Sequence, residues 1–141
     1  GEVPPVPPEP TMSNREIEDA AIRLVLAHEA AAGRAATDTR HRNAPTDIDG
    51  DRLIEVKACG GSARGTDLWL ETRQVEAALR EPDRFHLMIV ENVRTGTPRI
   101  LDLHGPQLAA LLERRRVKTY VEVPFPTGTY DTLAADITGS D

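Results

Sequence analysis

Asp47, Glu55 and Lys57 stand within one short stretch, Ala44-Pro45-Thr46-Asp47-Ile48-Asp49-Gly50-Asp51-Arg52-Leu53-Ile54-Glu55-Val56-Lys57-Ala58. Two carboxylates and a lysine on a hairpin are the parts of a metal-dependent phosphodiesterase. Hard cations such as Mg²⁺ take oxygen ligands, usually one or two carboxylates completed by water and substrate phosphate. A lysine nearby orients the attacking water or stabilises charge developing on phosphorus. Glu-Val-Lys alone is equally what the solvated face of an ordinary strand looks like, so the positioning elements decide its meaning.

Leu53 to Ala58 alternates apolar and charged residues and reads as a strand. Its period of two places Glu55 and Lys57 on one face and Ile54, Val56 and Ala58 on the other. Asp49-Gly50 is a strong hairpin-turn dipeptide, which makes Thr46 to Ile48 the partner strand. A three-residue loop of Asp49, Gly50 and Asp51 sets Asp47 opposite Leu53, on the face of Glu55 and Lys57. A two-residue loop sends Asp47 to the other face.

This order of residues resembles the PD-(D/E)XK nuclease superfamily, with Thr46-Asp47 in place of Pro-Asp. More narrowly it is similar to the C-terminal domain family of the protein NO VEIN. The likeness runs from about Ser13 to Val93. It rests on Glu18 in a first helix, Pro45-Thr46-Asp47-Ile48, Ile54-Glu55-Val56-Lys57, Leu68-Trp69-Leu70, Glu71-Thr72-Arg73-Gln74 and the Phe85 to Val93 run. It departs at Thr46, where the family has an aromatic residue, and at Arg73-Gln74, where it has a polar-acidic pair. The resemblance implies a restriction-endonuclease-like α/β (α+β) core, a mixed central sheet flanked by helices. It implies Mg²⁺, replaceable by Mn²⁺, held by Asp47, Glu55, the Val56 carbonyl and Glu18. Asp47, Glu55, Lys57 and Gln74 would form the catalytic set, Gln74 positioning substrate or water.

Each of these supporting residues also has a plainer reading. Glu18, with Glu16 and Asp19, is what a helix start wants at its positive dipole end. Asp49 is explained by the turn alone. Arg40-His41-Arg42 precedes the site and could guide a phosphate backbone, as could Arg64 in the glycine-rich loop Gly60 to Gly65; a solvated loop explains them as well. That loop lacks the Gly-Lys-Ser/Thr ending of a phosphate loop. Arg114-Arg115-Arg116 fits a helix C-terminus.

Around the hairpin the elements follow in order. Ser13-Asn14-Arg15-Glu16 matches a capping box. Ile17, Ala21, Leu24, Val25 and His28 follow at helical spacing, and Gly33 suits the C-terminal cap. Arg34 to Thr39 reads as a short strand and Asp67 to Leu70 as another. Thr72 then caps a helix to about Arg80. Phe85 to Val93 reads as the central strand, Arg99 to Leu103 as its neighbour, Pro106 to about Arg115 as a helix, and Val117 to Val123 as a last strand. The domain is expected over 13–124, after a proline-rich linker at 1–12 and before an irregular tail at 125–141. The linker suggests a domain joined to others in a longer chain.

Composition narrows the setting. A chain of 141 residues suits one domain with a modest core. Its single cysteine, Cys59, rules out an internal disulfide and fits a reducing cytoplasm. The absence of a long apolar run argues against a membrane partner. The net charge of −6 argues against tight binding of nucleic acid by charge alone.

Two functions therefore stand. The first is a Mg²⁺-dependent endonuclease acting on nucleic acid, DNA in first place, as the effector of a larger defence or restriction-type protein, with a homodimer as one possible assembly. The second is a catalytically inactive module of the same fold that docks nucleic acid or protein.

Overall fold

In this computed structural model, the structure describes residues 12–139. The proline-rich segment lies outside the described residues apart from Met12. Residues up to Arg115 form one compact unit, and residues from Arg116 onward belong to a second.

The first unit begins with α1 (Met12–Ala31). Its inward stripe is Ala21, Ile22 and Val25, followed by Glu29, all buried, while His28 faces outward. The helix stops in a Schellman motif. Gly33 takes φ +75°, Arg34 N–H donates to the Glu29 carbonyl, and Gly33 N–H donates to that of Ala30.

Five strands follow: β1 (Ala36–Asp38), β2 (Ile48–Gly50), β3 (Leu53–Ala58), β4 (Phe85–Glu91) and β5 (Arg99–His104). They lie side by side in sequence order, antiparallel except for β3 and β4, which run parallel. A parallel pair needs a crossover. Here α2 (Thr72–Arg80) lies on that crossover, and α3 (Gly105–Glu113) follows β5.

The alternation of β3 sorts the core into two layers. Ile54 and Val56 pack with Met88 and Val90 against Ala21, Ile22 and Val25 of α1. Leu53 joins Phe85 and Leu87 against Ala77 and Ala78 of α2 and Leu108 and Leu112 of α3. The expected mixed sheet flanked by helices is thus present. β4 lies inside it, between β3 and β5, and every one of its residues is buried.

Four expectations are corrected. The partner of β3 is Ile48–Gly50, not Thr46 to Ile48. Asp67 to Leu70 forms no strand. Its Leu68 and Leu70 pack against the α2–α3 layer instead. Val117 to Val123 joins no sheet. Finally, the expected irregular tail contains α4 (Thr127–Gly139), on which Tyr130, Leu133 and Ile137 recur at helical spacing and are exposed.

Candidate metal and phosphate site

The hairpin register settles the face of Asp47. Ile48 pairs with Ile54 and Asp49 with Leu53, so the loop is Gly50, Asp51 and Arg52. It has three residues and lies one position later than expected. Continuing this register by one residue sets Asp47 opposite Glu55 and on its face.

The turn is held at several points. Arg84 donates to the Gly50 carbonyl at 2.7 Å, and the Asp51 side chain accepts the Ala35 N–H at 2.9 Å. Gly50 itself passes so close to β1 that a Cβ there would sit 2.0 Å from the Ala35 carbonyl oxygen. Beyond the ladder, Thr39 fixes the approach to Asp47. Its N–H donates to the Asp47 carbonyl at 2.8 Å and its hydroxyl to that of Thr46 at 2.8 Å.

Asp47 Oδ2 then accepts the Val56 N–H at 3.0 Å. Leu53 and Cys59 turn their N–H groups toward β4, so by alternation Val56 turns its N–H and its carbonyl toward Asp47. Asp47, Glu55 and the Val56 carbonyl therefore converge on one edge of β3.

Glu55 is only 3% exposed, and its Oε1 has no hydrogen-bond partner. Lys57 Nζ lies 3.4 Å from Glu55 Oε2. Burial, with the Asp47 charge added, pushes the Glu55 carboxyl up to about 8, and Lys57 offsets part of that rise. Asp47 is also raised, chiefly by burial; the Val56 N–H opposes the rise and the charge of Glu18 adds to it. A buried and a half-buried carboxylate facing each other resist ionising together, and a divalent cation between them removes that cost.

Over residues 17–103, more than half of its length, the sequence matches the family described as Protein NO VEIN, C-terminal. The chain belongs to that family. No curated protein and no solved structure matches it.

The other expected residues of this NO VEIN C-terminal domain are placed less simply. Glu18 is half-buried on α1, and Glu18, Asp47 and Glu55 do not all lie within 4.8 Å of one another. Gln74 is buried, but its amide oxygen accepts the Glu71 N–H at 2.9 Å in a capping box, so Glu71 rather than Thr72 is the N-cap.

Arg40 is held by acids. It meets Asp38 at 2.9 Å, Asp19 at 2.8 Å and Glu18 at 3.5 Å. These contacts tie α1 to the end of β1 and raise the guanidinium further above its ordinary value. A groove of about 610 Å³ opens along this seam, lined by Arg15, Glu18, Asp19, Arg23, Arg40 and His41 among others. Arg42 and Arg64 are exposed.

The glycine-rich loop is not loose. Glu91 accepts the Ala63 N–H at 2.9 Å and pairs with Arg99 at 2.5 Å, and both contacts hold its carboxyl below the usual range. Sequence reasoning did not single out Glu91. Its signal is a charged residue ending a largely apolar strand, which calls for a partner when buried.

Proposed function

We propose that this domain is a Mg²⁺-dependent nuclease of the PD-(D/E)XK type that hydrolyses phosphodiester bonds in DNA. The observation that carries the reading is the buried Glu55, with Oε1 unpartnered, Asp47 opposite and Lys57 Nζ 3.4 Å from its other oxygen. A buried carboxylate oxygen without a partner is costly unless something binds it. The order helix, three antiparallel strands, helix and parallel strand supports the restriction-endonuclease-like reading of the fold.

The donor set suits a hard cation. Asp47, Glu55 and the Val56 carbonyl offer oxygen only, as Mg²⁺ prefers and as Mn²⁺ accepts. Glu18 stands farther out and would act through water. Bound there, the ion would neutralise charge on a phosphate and lower the pKa of water.

The protein's own groups account for the rest. The Val56 N–H aims Asp47, and the strand period keeps Lys57 beside Glu55 on the same face. From there the ammonium orients the attacking water and stabilises negative charge developing on the phosphate oxygens. Gln74, its oxygen used in the helix cap, has only its amide N–H groups left for substrate. Arg42 and Arg64 remain the exposed cations for the phosphate backbone. Arg40 instead braces α1, and its support of the site is indirect. Destruction of DNA in defence or restriction is a natural use of such a domain.

Calorimetric titration with Mn²⁺ tests the donor set. Binding in the wild type that disappears in Glu55→Gln supports this reading, and equal binding by both proteins contradicts it.

A further inference from the structure

On the sheet face that carries α1, His86 of β4 stands directly opposite His104 of β5. Asp102, two positions before His104, projects to the same face. One ligand atom from each of these three residues lies within 4.8 Å of the other two, the sole such cluster among the described residues. The two imidazole rings are tilted by 30° with centroids 4.5 Å apart. Directly opposed residues of an antiparallel pair have Cβ atoms about 4.5–5.5 Å apart, close enough for two imidazoles to share one ion.

The hydrogen bonds around His86 decide which nitrogen is available. Asp102 Oδ1 lies 2.7 Å from His86 Nδ1, while its Oδ2 accepts from Arg52 at 3.1 Å. Arg52 also comes within 3.2 Å of Nδ1, but a guanidinium has no lone pair to offer. The shorter contact puts the proton on Nδ1, donated to Asp102, and leaves the lone pair on Nε2. A carboxylate that fixes the tautomer of a histidine in this way is the usual support of a metal-binding imidazole. Arg52 is in turn balanced by Glu29 at 3.4 Å, so its charge is not left unopposed beside the histidines.

We propose that His86 and His104 form a second metal site, for a divalent transition ion of the Zn²⁺ class, with Asp102 orienting His86 and water completing the shell. Imidazole nitrogen suits Zn²⁺, Cu²⁺ or Ni²⁺ and not Mg²⁺. The site lies on the opposite sheet face from Glu55 and Lys57, so it does not depend on the proposed nuclease activity. Its position also ties β4 to the end of β5, where α3 begins.

The test is a Zn²⁺ titration of the full chain in excess Mg²⁺, comparing wild type, His104→Ala, Asp102→Asn and Glu55→Gln. His104 is exposed, so its loss spares the core, and circular dichroism checks that each variant is folded. The expected result is one Zn²⁺ per chain in the wild type and in Glu55→Gln. Affinity should fall about tenfold or more in His104→Ala, and by a smaller factor in Asp102→Asn. Unchanged affinity in His104→Ala, or loss of Zn²⁺ in Glu55→Gln, overturns the proposal.

Discussion

Asp47 Oδ2 accepts the Val56 N–H at 3.0 Å, in the place where the β2–β3 ladder would otherwise continue. One carboxylate thus ends the hairpin and faces Glu55. Its two roles separate in two variants. Asp47→Asn keeps an acceptor for the Val56 N–H and should change stability by less than about 1 kcal/mol. Asp47→Ala leaves that N–H unpaired and should cost about 1–3 kcal/mol. Urea denaturation reads the difference, and both variants should lose Mn²⁺ binding. Equal stability of the two would show that the hydrogen bond does not hold the hairpin.

The raised carboxyl of Glu55 fixes a pH dependence. Its ordinary value is 4.5 and its folded value about 8, so between these limits the native state binds more protons than the unfolded state. Without metal, this group's stabilising contribution is complete below about pH 4.5 and is lost as pH rises through 8. Glu55→Gln removes the dependence, and wild type minus variant should fall by a few kcal/mol, order of magnitude, across that window. A difference that stays flat, or rises with pH, contradicts the burial argument. Binding of the ion at pH 7 should also release a proton, seen as a buffer-dependent heat.

Glu29 is fully buried and faces Arg34 at 2.7 Å and Arg52 at 3.4 Å. Glu29→Gln keeps the volume and removes the charge from both pairs. The expected loss is about 3 kcal/mol or more, since breaking a buried pair leaves an uncompensated cation. A midpoint shift in urea worth less than 1 kcal/mol would show that the two arginines relax freely into water.

Gly50→Ala places a methyl group against the Ala35 carbonyl, where an ideal Cβ comes within 2.0 Å. β1 must move for the variant to fold. The expected loss is on the order of 2–3 kcal/mol, and amide exchange should quicken first at Ala36 to Asp38. An unaffected variant would mean that β1 is not pinned to the hairpin.

The sequence carried the parts of the fold with strong local patterning. β3 alternates and β4 is largely apolar, and both formed where expected; Gly33 ended α1 as its conformational freedom allows. The hairpin face was open because Asp49-Gly50 is compatible with two loop lengths, and only the pairing of Asp49 with Leu53 resolves it. Asp67 to Leu70 and Val117 to Val123 have strand-like composition, but a strand also needs a partner to pair with, which is a tertiary property that composition does not show. α4 is weakly marked in the sequence, because threonine and Gly128 near its start are poor helix formers. At the site, Asp47, Glu55 and Lys57 could be named from local spacing. The triple restraint on Arg40 and the pairing of His86 with His104 join residues far apart in sequence, and no short-range pattern reveals them.

The central claim is that Asp47, Glu55 and Lys57 hydrolyse phosphodiester bonds with a bound divalent ion. Nicking of supercoiled plasmid DNA in Mg²⁺ or EDTA, by wild type, Glu55→Gln and Lys57→Ala, tests it most directly. The account predicts nicking that needs Mg²⁺, vanishes in Glu55→Gln and drops about a hundredfold or more in Lys57→Ala, which still binds Mn²⁺. Nicking that survives in both variants, or a folded, Mn²⁺-binding wild type that nicks no DNA, would contradict it.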